Sequence, residues 1–208
     1  LRVGVHEQQF QTTYHEPRLF NHETLDGFGT LTIETTNRPV YATSGTELSL
    51  QVRKRVSNTK SFLTTASYQN VNLERVHIDP VVEFFPDLHG VIQIARLGES
   101  FISDSRDDAI NPTKGVFTTS TFQIASRAFG SEVNFVSLYN QTTYQKKQRT
   151  AVVAVASRVG WKVPYGNTLE IPISERYFAG GSTTLRGFGL DEAGPPANDR
   201  IASRPVAT

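Results

Sequence analysis

Glu175-Arg176-Tyr177-Phe178-Ala179-Gly180-Gly181-Ser182-Thr183-Thr184-Leu185-Arg186-Gly187-Phe188 closes a region of alternating polar and apolar residues and shares none of its period. The alternation stops after Trp161, and residues 162–195 form one long connection. A connection of that length without strands of its own is usually functional or disordered. The Gly, Phe, Tyr and Arg content here predicts an ordered loop that packs against something. Gly180 and Gly181 permit positive φ and close backbone approach, and Gly187 gives the same freedom between a cation and an aromatic ring. The tripeptide Arg-Gly-Phe alone fits any glycine-rich surface loop, so its weight rests on what surrounds it.

Upstream of Trp161, apolar residues recur at every second position and nowhere at a 3.6-residue spacing, which predicts strand almost throughout. From Glu47 to Val56, Leu48, Leu50, Val52 and Val56 share one face, while Glu47, Ser49, Gln51, Arg53 and Arg55 share the other. Eight strands are expected, at about 5–15, 27–37, 47–56, 61–73, 90–103, 116–128, 132–145 and 150–161. They are long, roughly 10 to 14 residues against an ordinary 5 or 6. The turns at Ser57-Asn58-Thr59, Phe129-Gly130-Ser131 and Lys146-Lys147-Gln148-Arg149 leave no chain for a crossover, so the strands form an antiparallel meander. In a meander, connections alternate between ends. Segments 39–45, 75–89, 129–131 and everything after Trp161 then share one end, and 57–60, 104–114 and 146–149 share the other. On pattern alone two architectures fit: a large soluble β-sandwich or β-solenoid, and a membrane-spanning barrel with a polar lumen. The mean hydropathy of −0.33 separates neither, because a barrel shows lipid only every second side chain.

Composition narrows the function. Lys plus Arg (21) against Asp plus Glu (20) leaves a net charge of +1, which argues against a nucleic-acid surface. With 38% hydrophobic and 20% charged residues among 208, the chain is too apolar to be disordered. Ala151 to Ala156 is its longest wholly apolar run, far below the roughly 18 residues of a membrane-spanning helix. The absence of cysteine excludes a disulfide framework. The chain has no methionine and begins at Leu1, which leads us to expect a mature product or a piece of something longer.

Glu175-Arg176-Tyr177-Phe178, Gly180-Gly181 and Leu185-Arg186-Gly187-Phe188, in this order and spacing, resemble the conserved loop of the outer-membrane protein assembly family. This is the bacterial surface antigen superfamily of BamA-like and TamA-like barrels and two-partner secretion transporters. A second stretch, Ser105-Arg106-Asp107-Asp108 followed by Asn111-Pro112-Thr113-Lys114-Gly115, is similar to the family's Arg-Asp…Pro-x-x-Gly turn. Tyr14-His15-Glu16-Pro17-Arg18-Leu19-Phe20 also resembles an early barrel segment. The resemblance implies an all-β, antiparallel, up-and-down transmembrane barrel of about sixteen strands, within the known range. Of these, residues 1–161 would supply about eight. Residues 162–195 would be a long extracellular loop folding into the lumen, and residues 196–208 the truncated start of the next barrel segment. Segments 39–45, 75–89 and 129–131 would be extracellular, and 57–60, 104–114 and 146–149 periplasmic.

Arg186 would pin the loop by forked hydrogen bonds to wall carboxylates, a geometry lysine cannot supply. In relatives the acidic partners lie on strands after the loop, expected here beyond Thr208; periplasmic repeats would precede Leu1. The function implied is assembly or insertion of other outer-membrane proteins in the bacterial outer membrane, with secretion of a dedicated partner as the sibling reading. A soluble or surface-attached β-rich binding module is the alternative outside the family. The partners would be the lipid bilayer, unfolded outer-membrane clients and periplasmic accessory proteins reached through N-terminal domains.

Other constellations are weaker. His6-Glu7, His15-Glu16 and His22-Glu23 lack a second His at i+4, so zincin geometry fails. Ser57-Asn58-Thr59-Lys60 reads as a hairpin turn, and Asp104, Asp107 and Asp108 as turn caps with Arg106. Arg53, Lys54 and Arg55, and Lys146, Lys147 and Arg149, read as charged strand ends. Nothing forms a catalytic set, so neither an enzyme nor a cofactor is expected.

Overall fold

Alternation over so many long segments predicts one continuous hydrogen-bonded sheet, and the computed structural model has that form. It describes residues 2–3, 7–37, 41–76, 90–181, 185–189 and 193. Nine strands follow in chain order: β1 (Arg2–Val3), β2 (Glu7–Pro17), β3 (Leu25–Asn37), β4 (Tyr41–Arg55), β5 (Lys60–Val76), β6 (Gly90–Asp104), β7 (Gly115–Ala125), β8 (Phe135–Gln148) and β9 (Ala151–Pro164). Each pairs antiparallel with its sequence neighbours, giving the order β1 to β9 without a crossover. Eight are long, as the period requires, and the two-residue β1 pairs with the start of β2.

Several boundaries differ from the sequence reading. Residues 41–45, taken as part of a connection at 39–45, belong to β4 and pair with 71–76 of β5. Thr43 and Gly45 break the apolar period there, and the ladder continues through one register shift, between Ala42 and Thr43, because backbone pairing needs no apolar side chain. The strand expected at 116–128 ends at Ala125, and a 3-10 turn, Arg127–Phe129, follows under a Ser126 side-chain cap. The strand expected at 132–145 starts at Phe135 and runs to Gln148, so the turn assigned to 146–149 shrinks to Arg149 and Thr150. Strand β9 continues to Pro164, so the long loop begins at Tyr165 rather than at residue 162. The segments at 77–89 and 196–208 lie outside the described residues.

The ladders fix which side chains share a face. Leu31 opposes Leu48, Leu48 opposes Tyr68, Phe122 opposes Leu138 and Leu138 opposes Trp161. Phe10, Ile33, Leu50, Val52, Phe62, Val155 and Val159 fall on that same side by alternation. These are large apolar groups held in the open: Leu50 is 61% exposed and Trp161 50%. A soluble sheet with a dry core turns that set inward; here it forms a broad outer surface, the arrangement of a lipid-facing wall. Polar side chains on this face satisfy one another across strands, as Tyr68 does with Gln93 at 2.7 Å and Asn140 with Ser120 at 2.8 Å.

The opposite face carries Gln9, Thr30, Glu34, Glu47, Ser49, Gln69, Arg96, Ser137 and Lys162. Its hydroxyls pair across strands, Thr13 with Thr30 at 3.1 Å and Ser100 with Thr121 at 2.9 Å. Connections 126–134 and 165 onward leave one end, and 18–24, 56–59, 105–114 and 149–150 the other.

Leu48→Arg, at mid-strand on the outer face, is expected to destabilise the barrel by about 2–4 kcal/mol, while Gln51→Arg on the inner face is tolerated. Heat-dependent gel mobility of the two variants in detergent compares them directly.

Candidate functional site

The loop leaves β9 and folds back over the polar face. Tyr165 starts the reversal: its hydroxyl donates to the Ala125 carbonyl at 3.1 Å and its N–H to the Asn134 carbonyl at 3.2 Å. Ile171 packs on Ile94, Ala125 and Phe135, which are fully or almost fully buried, and the 3-10 turn Ile173–Glu175 sets Ile173 against Tyr41 and Leu73. Phe178 completes that second cluster, its ring 5.7 Å from that of Tyr41.

Between the clusters the contacts become charged. The Glu175 carboxylate accepts two hydrogen bonds from Arg96 of β6, at 3.0 and 3.1 Å, and one from Lys162 of β9 at 2.9 Å. Lys162 also donates to the Glu175 carbonyl at 2.7 Å, and Arg96 to the Gln69 side chain. The three charged side chains are 8%, 9% and 13% exposed for Glu175, Lys162 and Arg96, and Glu47 approaches Arg96 at 3.9 Å. Lys162 stands over the rings of Phe135 (4.7 Å) and Tyr177 (5.2 Å). Tyr177 lies across Gly160 and is hydrogen-bonded to Ser137 at 3.0 Å. Arg176 turns back to the Ile171 carbonyl and the Glu170 carboxylate, each at 2.7 Å.

Beyond Phe178 the chain makes a tight excursion. Gly180 and Gly181 take φ of 125° and 86°, values that burden any side chain. The Gly181 N–H donates to the Phe188 carbonyl at 3.1 Å, and Ala193 to Ala179 at 2.9 Å. Leu185, Arg186, Gly187 and Phe188 therefore sit at the tip of a closed excursion, Gly187 with φ 99°. All four are exposed, and among the described residues Arg186 makes no hydrogen bond or ion pair. Residues 182–184 lie outside the described residues. The motif is thus divided: Glu175, Arg176 and the glycines shape or seat the loop, whereas Arg186 is presented.

The second motif is a self-contained turn at the opposite end. Arg106 forks onto Asp104 at 2.7 and 2.8 Å and stacks over Phe117 at 4.6 Å. Asp107 accepts from the Thr113 hydroxyl (2.6 Å) and from the N–H groups of Thr113 (2.9 Å) and Lys114 (3.0 Å), the two residues that follow Pro112. These donors, the Thr113 hydroxyl foremost, hold its carboxyl well below the usual carboxylate range. Asp108 is lowered by the N–H groups of Asn111 and Ile110. Gly115 has φ 116°, and a Cβ there would collide with the backbone of Ser105 and Arg106. Of the remaining candidates, His15 stacks on Phe28 with ring centroids 4.5 Å apart, and Arg55 reaches the Glu23 carbonyl at 2.6 Å.

Residues 1–205 match the Omp85 superfamily domain. The chain belongs to the Omp85 superfamily. Its fold is similar to that of BamA from Haemophilus ducreyi lacking POTRA domains 1–3, with a TM-score of 0.80 at 18% identity, covering 91% of this chain and 39% of that one. It is 31% identical to the outer membrane protein assembly factor BamA of Neisseria meningitidis over 99 residues, 47% of this chain and 12% of that protein. It is 32% identical to a SAM50-like protein of Drosophila melanogaster over 97 residues, 46% of this chain and 21% of that protein. The chain thus spans about an eighth to a fifth of the curated relatives' length.

The sequence places Glu175 in a loop resembling that of the outer-membrane protein assembly family but does not show its partners. Arg96 lies 79 residues upstream in an unexceptional strand, and Lys162 is 13 residues away. The one available signal was period: Lys162 and Arg96 both fall on the polar side of their strands. Gly160 was missed because its backbone is ordinary; its role is to leave room for a ring.

Two outcomes follow. Gly160→Val puts a Cβ 3.0 Å from the Tyr177 ring, so Tyr177 should be nitrated faster by tetranitromethane, read peptide by peptide in a mass spectrometer. Thr113→Val removes the strongest donor to Asp107 and should raise its pKa toward the ordinary ~3.9. Because the folded value is depressed, the turn's stabilisation is complete above the ordinary pKa and is lost as pH falls through the folded one. Carboxyl NMR titration of Asp107 in both proteins checks the shift.

Proposed function

We propose that this chain is part of an outer-membrane barrel that assembles or inserts other outer-membrane β-barrel proteins, in a bacterial cell. The observation that carries this reading is the loop: in a chain of the Omp85 superfamily, a glycine-rich segment lies across the polar face of an apolar-outside wall and presents Arg186 at its tip. The likeness to an outer membrane protein assembly factor supports the assignment of the activity.

On this reading the loop end of the sheet is extracellular and the short-turn end, with the Arg106 and Asp107 turn, is periplasmic. The exposed Leu, Val, Phe and Trp surface meets the hydrocarbon of the bilayer. Clients are unfolded outer-membrane β-proteins, templated by strand addition at a barrel edge, since main-chain hydrogen bonding is indifferent to client sequence. Periplasmic accessory proteins would engage domains N-terminal to the barrel. The work is binding and rearrangement of the wall, with no catalytic residue, metal or cofactor. Arg186, exposed and fork-shaped, is suited to grip carboxylates on a wall surface outside these nine strands.

In the full-length protein, Arg186→Ala is expected to lower the yield of assembled client barrels several-fold, with Arg186→Lys restoring little because an ammonium cannot fork. Heat-modifiable client bands in isolated membranes measure it, and an unchanged yield would sink the role given to Arg186.

A further inference from the structure

The inner face of the sheet holds a buried ion cluster at some remove from the loop tip. Glu175 is the only acid that the loop places between wall cations among the described residues, and it bridges two strands that are not neighbours. Arg96 comes from β6 and Lys162 from β9, with β7 and β8 between them. One carboxylate therefore ties the loop across four strands. Its two oxygens take three charge-assisted hydrogen bonds, and the main-chain carbonyl of the same residue takes a fourth from Lys162. Side-chain and backbone bonds to one residue fix orientation as well as position. Tyr177, two residues on, reaches the wall between these cations, against Gly160 and Ser137.

We propose that Glu175 is a positioning residue: with Arg96 and Lys162 it forms an ionic latch that holds the first half of the loop on the barrel's inner wall, independently of Arg186. The loop then has two anchors that break separately, a buried one before the paired glycines and a presented one after them. Gly180 and Gly181 are the joint between them, since without a Cβ they take the positive φ values that turn the chain there. The physical asymmetry is large. Removing the carboxylate charge leaves two nearly buried cations with, among the described residues, only the more distant Glu47 as counter-charge, the situation in which loss of one partner is most disruptive. Removing Arg186 uncovers nothing among the described residues. The inference rests on the assembly reading only for its consequence, since the latch itself is a statement about where the loop lies.

Trypsin reports the latch, because it cuts the Arg176–Tyr177 bond only when that bond leaves the wall. In the full-length protein, folded by the criterion of heat-dependent gel mobility, the wild type and Arg186→Ala should be protected at this bond. Glu175→Gln should be cut there about tenfold faster or more, as opening is no longer opposed by the buried pair. Lys162→Gln, which keeps the bonds from Arg96 Nη1 to Glu175, should be intermediate and serves if Glu175→Gln does not fold. The exchange Glu175→Lys with Lys162→Glu should recover protection beyond Glu175→Lys alone, which a mere packing role would not give. Undiminished protection in a folded Glu175→Gln or Lys162→Gln protein, or an exchange no better than the single change, would overturn the latch. Lost protection with client assembly intact would support the latch and count against the loop's part in the proposed function.

Discussion

A strand that faces hydrocarbon must find every backbone hydrogen bond within its own sheet, because no water is there to supply one. That constraint accounts for the long ladders from β2 to β9, broken in register only between Ala42 and Thr43 among the described residues, and for the strict neighbour order, which has no crossover. It also dictates the side chains. With the backbone satisfied in the plane, each strand sorts its residues by face, and Leu48, Leu138 and Trp161 go to the side away from Ser49, Ser137 and Lys162.

Once the inner face is polar, a loop folded onto it cannot be held by apolar burial alone. Only near the loop end, where Ile94, Phe135, Tyr41 and Leu73 collect, does the wall offer Ile171, Ile173 and Phe178 an apolar seat. Between those two seats the attachment is polar, and Glu175 provides it. Burying three charges is costly, and the cost is met by saturating the carboxylate with donors from two strands. The aromatic faces of Phe135 and Tyr177 screen Lys162 further. The 105–114 turn solves a different problem, closing a connection in water, and does so with short-range caps from Asp107 and Asp108 to their own backbone.

Where sequence reading erred, the reason is specific. It ended β9 at Trp161 because Lys162 and Pro164 look unlike a strand, although Lys162 occupies a polar inward position and Pro164 closes the strand at its last residue. It began β4 at Glu47 because Thr43, Ser44 and Gly45 carry no apolar signal, although the ladder to β5 needs none. It left out a second attachment of the loop, beside the one expected of Arg186. Among the described residues the attachment falls to Glu175 and Tyr177, whose partners are ordinary members of distant strands.

By itself the residue pattern determined long antiparallel strands with one apolar and one polar face and the place of the loop along the chain, because these depend on a two-residue period and on glycine and proline punctuation, which are local; that the apolar face is the outside of a barrel was implied by the resemblance the loop motif carries. It also marked the Arg106 and Asp107 turn, whose partners lie within a few residues. Only the tertiary structure decided which carboxylate meets which cation and which glycine lies beneath a ring. Those pairings depend on register summed over four strands, and nothing local in the chain records that Arg96, Gly160, Lys162 and Glu175 will meet.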